Sequence, residues 1–188
     1  MSRFSRRRFL QSSTVATAAT AFGVHGSLSA QERNSPNSRP HIAVIGCGGQ
    51  GTGDGRRALE FADIVAVCDA DSAHANAAKS AYQRRTAQAG REAKIDVYED
   101  YRAIIDRSDI DAIICGTVDH WHVKIAVEAL ESGKHVFCQK PLTLTLEENQ
   151  LIRNACKKHE DKVFFVGTQQ RSSRGKFLRA VNMVQKGI

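Results

Sequence analysis

Residues 41–51 read HIAVIGCGGQG, and this stretch decides the fold. The apolar, mostly β-branched residues at 42–45 are typical of a short strand buried in a parallel sheet. The strand leads directly into the pattern G-x-G-x-x-G at Gly46, Gly48 and Gly51. Such a turn between a strand and a helix predicts a loop that wraps the phosphates of a nucleotide.

Each glycine of the pattern has a predicted role in that loop. Gly46 permits the tight turn, Gly48 keeps the backbone open to a pyrophosphate, and Gly51 lets the next helix pack closely. A second apolar run, at 64–68, is followed by Asp69, eighteen residues after Gly51. A carboxylate at this position accepts hydrogen bonds from an adenosine ribose, so the whole pattern predicts a dinucleotide site.

The predicted cofactor is NAD rather than NADP. Asp69 would repel a 2′-phosphate, and the four residues after it include no arginine. The cofactor-binding residues predicted in this part of the chain are Gly46, Gly48, Gly49, Gln50, Gly51 and Asp69. Two other interpretations stay open at this point: a merely flexible glycine-rich loop, and a methyltransferase loop that binds an adenosyl cofactor.

Residues 1–30 are predicted to be a targeting signal rather than a folded element. Residues 5–11, SRRRFLQ, match the twin-arginine export motif, and residues 11–30 contain no Lys, Arg, Asp or Glu. Because that run is too polar for a membrane span, we expect a signal peptide and a protein that is periplasmic or otherwise exported through the twin-arginine route, with a disordered basic tail as the alternative. Residues 31–40 then form a polar linker with prolines, and residues 41–188 form one domain.

The net charge of +7 comes largely from the signal segment, which holds four arginines and no acid. The rest of the chain carries 23 basic and 20 acidic side chains, so its balance does not indicate a nucleic-acid-binding protein. The five cysteines include no C-x-x-C pair. Their spacing argues against a zinc site or a disulfide framework and favours buried thiols.

Apolar runs alternate with amphipathic stretches along the rest of the chain. Strands are predicted at 42–45, 64–68, 94–98, 111–115, 135–138 and 163–166, and helices after Gly51 and at 71–90, 101–107, 120–132, 146–159 and 175–186. Thr145 and Glu148 form a capping-box pattern in front of the fifth helix. The alternation predicts an α/β fold of the Rossmann type, a doubly wound parallel sheet in three α/β/α layers.

Two further stretches lie at the carboxyl ends of predicted strands, where ligands bind in open α/β sheets. Residues 116–122, GTVDHWH, carry two histidines, but side chains at i and i+2 of a helix point apart, so no metal site is predicted. Residues 138–141, CQKP, present Lys140 in a non-helical position before a proline. A lysine there is able to pass a proton to a substrate oxygen, although a solvated loop lysine is the alternative.

Taken together, these motifs resemble the Gfo/Idh/MocA oxidoreductase family over nearly all of the region after the linker. The family's G-x-G-x-x-G and the acid after its second strand match the residues already described. Its T-P-[ND]-x-x-H turn is similar to Thr117, Asp119 and His122, with Val118 in place of proline. Its A-G-K-H-V-x-x-E-K-P segment is similar to residues 132–141, SGKHVFCQKP. The combined resemblance sets the methyltransferase interpretation aside.

The resemblance implies an NAD(H)-dependent oxidoreductase that acts on a sugar, a polyol or a related carbohydrate. It implies Lys140 as the catalytic residue and adds Thr117, Asp119, His122, Gln139 and Lys140 to the cofactor-binding set. Gln139 stands where the family has glutamate, which removes a charge near the nicotinamide but keeps a hydrogen-bonding group. An NAD-dependent glycosidase of the same family and a truncated NAD-binding module without catalysis are the alternatives.

The resemblance also implies a second α/β domain that contacts the substrate and forms an oligomer interface, so we expect a homo-oligomer where that domain is present. The sequence reaches Ile188 without it. A fragment, a natural truncation and a free-standing nucleotide-binding domain stay open as interpretations. The expected partner is a small carbohydrate, and neither nucleic acid nor a membrane span after signal removal is predicted.

Overall fold

Six strands form one sheet in the order β3-β2-β1-β4-β5-β6 in the computed structural model, which describes residues 38–168 and 174–187. They are β1 (His41–Ile45), β2 (Asp63–Cys68), β3 (Asp96–Tyr98), β4 (Ala112–Cys115), β5 (His135–Cys138) and β6 (Phe164–Val166). All neighbouring strands are parallel. The order reverses between β1 and β4, so the doubly wound Rossmann-type sheet expected from the sequence is confirmed.

The predicted signal peptide at 1–30 and most of the linker at 31–40 lie outside the described residues, as do residues 169–173 and 188. Export and the linker therefore stay predictions. Within the described ranges, no helix is both long enough and apolar enough to cross a membrane.

Helices follow the strands along the chain. They are α1 (Gly49–Ala58), α2 (Ser72–Gln88), α3 (Arg102–Ile105), α4 (His122–Glu131), α5 (Leu146–Lys158) and α6 (Arg179–Gln185). The helix predicted at 120–132 begins with a separate 3-10 turn, Asp119–Trp121. In this turn the Trp121 N–H donates to the Val118 carbonyl at 3.1 Å, which is the tighter spacing of a 3-10 helix.

Several other predicted elements differ at their ends, among them the third helix, the third strand and the last helix. The third predicted helix reduces to the single turn of α3, because the Arg107 N–H donates to the Ile104 carbonyl at i+3 spacing. Strand β3 begins at Asp96, two residues later than predicted, where its pairing with β2 begins. The last predicted helix opens with a π-helical turn, Arg174–Leu178, and continues as α6.

Two apolar clusters lie on the two faces of the sheet. On one face, Ile45 and Ile113 pack with buried side chains of α3, α4 and α5. On the other face, Val44 and Val67 pack with buried side chains of α2 and with Leu59, which directly follows α1. Adjacent residues of a strand enter different clusters because side chains alternate across a sheet. The resulting three layers leave the carboxyl ends of the strands open at one edge, where the candidate site lies.

The start of α5 has the predicted capping geometry. The Thr145 hydroxyl accepts the Glu148 N–H at 3.2 Å, and the Glu148 carboxylate reaches back to the Leu144 N–H at 2.6 Å. In a standard capping box the acid returns to the N-cap residue itself, whereas here it returns to the residue before it. The cap is confirmed, and it fixes the point at which the chain enters α5.

Candidate functional site

Three glycine backbones touch where β1 and β4 end. Gly46 has a φ of +86°, in the left-handed region that favours glycine, and its N–H donates to the Cys68 carbonyl at 2.8 Å. A Cβ on Gly51 would lie 1.9 Å from the Gly46 carbonyl oxygen, and one on Gly116 would lie 2.7 Å from the Gly51 Cα. Gly46 and Gly51, the first and third glycines of the motif, therefore have no room for a side chain, as the sequence indicated. Gly116 has no room for one either, although it lies outside the motif.

Gly48 leads into α1 and faces open space. A Cβ added there would meet no protein atom within 4 Å other than those of its chain neighbours. Gly48 is also the N-cap residue of α1 and supplies no side-chain cap, so no capping side chain covers the first N–H groups of the helix. An unobstructed backbone at a helix N-terminus fits the phosphates of a dinucleotide.

Asp69 stands at the end of β2 and holds the glycine turn from the side. One carboxylate oxygen accepts the Cys47 N–H at 2.7 Å, and the other accepts the Asp71 N–H at 2.9 Å. The side chain is 17% exposed and lines the same cleft as Gly48. Because a carboxylate oxygen accepts more than one hydrogen bond, Asp69 is able to bind a ribose hydroxyl while it keeps the turn in place.

A cleft of about 800 Å³ opens beside the ends of these strands. Six of the predicted cofactor-binding residues line it: Gly46, Gly48, Gly49, Gln50, Asp69 and Thr117. Tyr101 and Trp121 also line it, and their rings meet edge to face with centroids 5.8 Å apart. Arg102 lies over the Tyr101 ring, with 5.0 Å between its guanidinium carbon and the ring centre.

Tyr101 and Arg102 were not expected from the sequence, which carries no local motif around them. They follow β3, the neighbour of β2 in the sheet, so their position after a strand is the signal that could have found them. Burial raises the pKa of Tyr101 to about 12, and its hydroxyl donates to the Glu128 carboxylate at 2.8 Å. Tyr101 is therefore neutral near pH 7 and gives the cleft an aromatic wall.

The residues after β4 divide between the cleft and the interior. Thr117 lines the cleft, whereas Asp119 is exposed in the 3-10 turn. His122 is 1% exposed, with Nδ1 2.6 Å from the Pro141 carbonyl oxygen and Nε2 3.1 Å from the Thr117 carbonyl oxygen. These contacts tie the chain after β4 to the chain after β5. The cofactor-binding roles of Asp119 and His122 stay predictions.

His122 also belongs to a buried group with two cysteines. One possible ligand atom each of Cys115, His122 and Cys138 lies within 4.8 Å of the others, and the two cysteines are register partners on β4 and β5. A hydrogen bond from the Cys138 thiol lowers the pKa of Cys115, and the same bond raises the pKa of Cys138. Sequence spacing missed this group because its members are far apart in the chain. Both ring nitrogens of His122 already face carbonyl oxygens, so we assign the group no metal.

Gln139 and Lys140 follow β5 and are not among the residues that line the cleft. Gln139 is 3% exposed, and its side-chain nitrogen donates to the carboxylate of Asp54. The Lys140 side chain is exposed, and the Lys140–Pro141 peptide bond is cis. The catalytic role of Lys140 stays a prediction. Asp54 is a buried neighbour that the motifs did not include.

The comparisons with known proteins agree with this fold. The Gfo/Idh/MocA model, described as an oxidoreductase family with an NAD-binding Rossmann fold, matches residues 41–168. The chain is similar to the inositol 2-dehydrogenase of Salmonella typhimurium, with 30% identity over 147 residues that make up 77% of this chain and 41% of the relative. It is also similar to the alpha-N-acetylgalactosaminidase of Shewanella oneidensis, with 27% identity across 100% of this chain and 44% of the relative.

Among solved structures, the chain is similar to the myo-inositol 2-dehydrogenase from Lactobacillus plantarum. The TM-score is 0.65 and the sequence identity 28%, and the match covers 80% of this chain and 42% of that one. The chain therefore spans less than half the length of each of these three relatives.

Proposed function

The chain belongs to the Gfo/Idh/MocA oxidoreductase family, and we propose that it is the NAD-binding domain of an NAD(H)-dependent oxidoreductase that acts on a sugar, a polyol or a related carbohydrate. The observation that carries this proposal is the cleft in which the glycine turn, the start of α1 and Asp69 come together. The similarity to two inositol dehydrogenases supports the substrate class.

The cleft offers matching groups to the diphosphate and to the adenosine ribose of a dinucleotide. The backbone at Gly48 and the first turn of α1 present N–H groups to the diphosphate, and Asp69 accepts a hydrogen bond from the adenosine ribose. Tyr101 and Trp121 provide an aromatic wall. When bound, NAD supplies the chemistry of hydride exchange with a substrate carbon. The negative charge of Asp69 favours NAD over a cofactor with a 2′-phosphate.

Lys140 is the residue that we assign to proton transfer. Oxidation of an alcohol removes a hydride from carbon and a proton from oxygen, and a lysine amine is able to take that proton and return it in the reverse reaction. Lys140 suits this role because its side chain is exposed at the carboxyl end of β5. Its backbone N–H donates to the buried Gln139 at 3.3 Å, so the main chain beneath the exposed amine is held.

Gly48→Ala tests the proposal most directly. A Cβ at Gly48 meets no protein atom within 4 Å, so the variant should fold as the parent does, yet it places a methyl group where the diphosphate would lie. We expect calorimetric titration to show a loss of NAD affinity of about tenfold or more. Gly53→Ala is the matched control, since its Cβ is equally free of contacts and lies further along α1. Equal NAD affinity in both variants would remove the cleft as the cofactor site.

A second candidate function is an NAD-dependent glycosidase, favoured by the similarity to alpha-N-acetylgalactosaminidase across the chain. The two functions differ in net redox change. A dehydrogenase converts NAD to NADH as a polyol is oxidised, whereas a glycosidase that uses hydride transfer internally cleaves its substrate with no net NADH. Parallel assays of NADH absorbance and of sugar release separate them. NAD binding without either activity would favour the third interpretation, a binding module without catalysis.

We also propose export through the twin-arginine route, which the sequence SRRRFLQ at residues 5–11 supports. The test is a fusion of residues 1–30 to a reporter that matures only after export in the folded state. Replacing Arg6 and Arg7 together by lysine should abolish export, whereas Arg3→Lys should leave it unchanged. Export that survives the double replacement would contradict the assignment.

A further inference from the structure

Asp54 is a buried carboxylate in α1 that no motif of the sequence includes. Its side chain is 8% exposed and accepts hydrogen bonds from three side chains. Gln50 donates at 3.1 Å, Arg57 donates at 2.9 Å, and Gln139 donates from 85 residues further along the chain. A buried carboxylate needs this many donors to offset its lost hydration. Asp54 therefore fixes the side chains that surround it.

One of these contacts leads to the proposed catalytic lysine. The side-chain nitrogen of Gln139 faces Asp54, and its side-chain oxygen accepts the backbone N–H of Lys140 at 3.3 Å. A carboxylate only accepts hydrogen bonds, so Asp54 determines which end of the Gln139 amide points toward it. The other end, the oxygen, is then left for Lys140. Gly167 closes the arrangement from the side, since a Cβ there would lie 3.0 Å from the Gln139 nitrogen.

A second contact leads to the cofactor cleft. Gln50 lines that cleft and donates to the same carboxylate, four residues before Asp54 in α1. The carboxylate is thus hydrogen-bonded to a residue of the glycine turn and to the residue before Lys140. These two parts of the site are otherwise distant in the sequence.

We propose that Asp54 is a positioning residue that sets the Gln139 amide, and through it the Lys140 backbone, relative to the cofactor cleft. Where the resembled family segment carries glutamate at the position of Gln139, this chain carries the amide there and the carboxylate on α1. The pair is complementary as it stands. A glutamate at position 139 would face Asp54 as a second buried carboxylate, which is unfavourable unless one of them takes up a proton.

The first test measures hydrogen exchange at the Lys140 backbone amide by NMR, without cofactor. In Asp54→Asn, one acceptor oxygen becomes an amide nitrogen that opposes the surrounding donors, so the Gln139 amide should lose its orientation. We expect exchange at Lys140 to become about tenfold faster, as for the loss of one hydrogen bond. The Val136 amide in β5, which donates to the Val163 carbonyl at 2.9 Å, reports any general loss of stability and should be unchanged.

Exchanging the acid and the amide between positions 54 and 139 should restore slow hydrogen exchange at Lys140. Gln139→Glu alone should speed exchange at Lys140 because it opposes two carboxylates. The double variant Asp54→Asn with Gln139→Glu restores a donor facing an acceptor, with the acid on the other side, and should return slow exchange. If Asp54→Asn does not fold, the double variant decides by itself: slow exchange at Lys140 supports the proposal, and fast exchange overturns it. Unchanged exchange in a folded Asp54→Asn also overturns it.

The second test concerns the bound state and rests on the proposed function. Acetic anhydride labels exposed lysines, and mass spectrometry gives the rate at each position with and without saturating NAD. We expect NAD to slow labelling of Lys140 but not of Lys157, an exposed lysine of α5. The slowing should be lost in Asp54→Asn and restored in the double variant. If the parent does not bind NAD, the proposed function is contradicted. If NAD still slows the labelling of Lys140 in Asp54→Asn, the positioning role of Asp54 is contradicted.

Discussion

The glycine turn, residues 46–51, and the Lys140 segment, residues 139–145, both follow strands at the same edge of the sheet but are held in place by opposite means. The glycine turn is held mainly by close contacts between backbones, because three glycines approach more closely than a Cβ allows, and the Asp69 side chain adds a hydrogen bond from the side. The Lys140 segment is held by polar side chains of other elements, since Asp54 and His122 both hydrogen-bond to it. A close contact between glycine backbones leaves no room for an added atom. A side chain that makes hydrogen bonds can be replaced where the new side chain satisfies the same bonds.

Gly51→Ala should have the largest effect, because it adds an atom to the glycine turn. The new Cβ would lie 1.9 Å from the Gly46 carbonyl oxygen, and a backbone group cannot move aside as a flexible side chain can. We expect the free energy of unfolding to fall by about 3 kcal/mol or more, the upper range for overpacking. Urea denaturation followed by circular dichroism measures the change.

Gly53→Ala is its matched control in the same helix. Apart from its chain neighbours and the backbone of its own helix, a Cβ there meets no atom within 4 Å, so helix propensity alone should raise the free energy of unfolding by about 1 kcal/mol. Equal stability of the two alanine variants would show that the close backbone contact does not position the turn.

His122→Leu tests the Lys140 segment in the same way. Leucine fills much of the space but has no ring nitrogen, so the carbonyl oxygens of Thr117 and Pro141 lose the polar group that both face. We expect the free energy of unfolding to fall by about 2 kcal/mol, as for buried polar groups left unsatisfied. His120→Leu is the control, because His120 is exposed and should change the free energy by less than about 0.5 kcal/mol. A His122 variant as stable as the control would mean that the two segments are not joined through this ring.

The parts of the site that are encoded by neighbouring residues were predictable from the sequence, and the parts that distant residues form were not. The glycine turn and Asp69 were predictable because strand, turn, helix and acid follow one another locally and their spacing encodes the geometry. The doubly wound parallel sheet was predictable from the alternation of strands and helices. Asp54 was not, because its partner Gln139 lies 85 residues away and only the sheet brings them together.

The aromatic wall of the cleft was also not predictable, because it is formed by residues that only the folded sheet brings to the site. Tyr101 and Arg102 enter the site through the pairing of β3 with β2, which no local pattern states. His122 was placed at the cofactor by its motif, yet its described hydrogen bonds are to carbonyl oxygens of the protein. A motif therefore locates a residue along the chain more reliably than it identifies the group that the residue contacts.

Asp69→Ala should lower the free energy of unfolding less than Gly51→Ala or His122→Leu does, but it should change the choice of cofactor clearly. The Asp69 carboxylate helps to hold the glycine turn because it accepts the Cys47 N–H. The variant therefore tests whether the backbone contacts between the glycines are enough to keep the turn in place. We expect NAD affinity to fall about tenfold and the preference over NADP to narrow. Calorimetric titration of both cofactors gives the ratio. Asp71→Ser is the control, because it removes a nearby charge but keeps a capping side chain for α2. Tighter binding of NADP than of NAD by the parent would refute the assignment.

The smallest effect is expected at the far end of the Lys140 segment, where Thr145 caps α5. Its hydroxyl accepts the Glu148 N–H at 3.2 Å, so Thr145→Ala should lower the free energy of unfolding by about 1 kcal/mol, while Thr145→Ser keeps the acceptor and most of the stability. NAD affinity should be the same in all three proteins, because the cap anchors the exit of the segment and not the Gln139 amide. Denaturation and NAD titration on the same samples check both statements. A fall in NAD affinity with Thr145→Ala that Thr145→Ser does not show would mean that the helix cap, as well as the buried side chains, positions the segment for the cofactor.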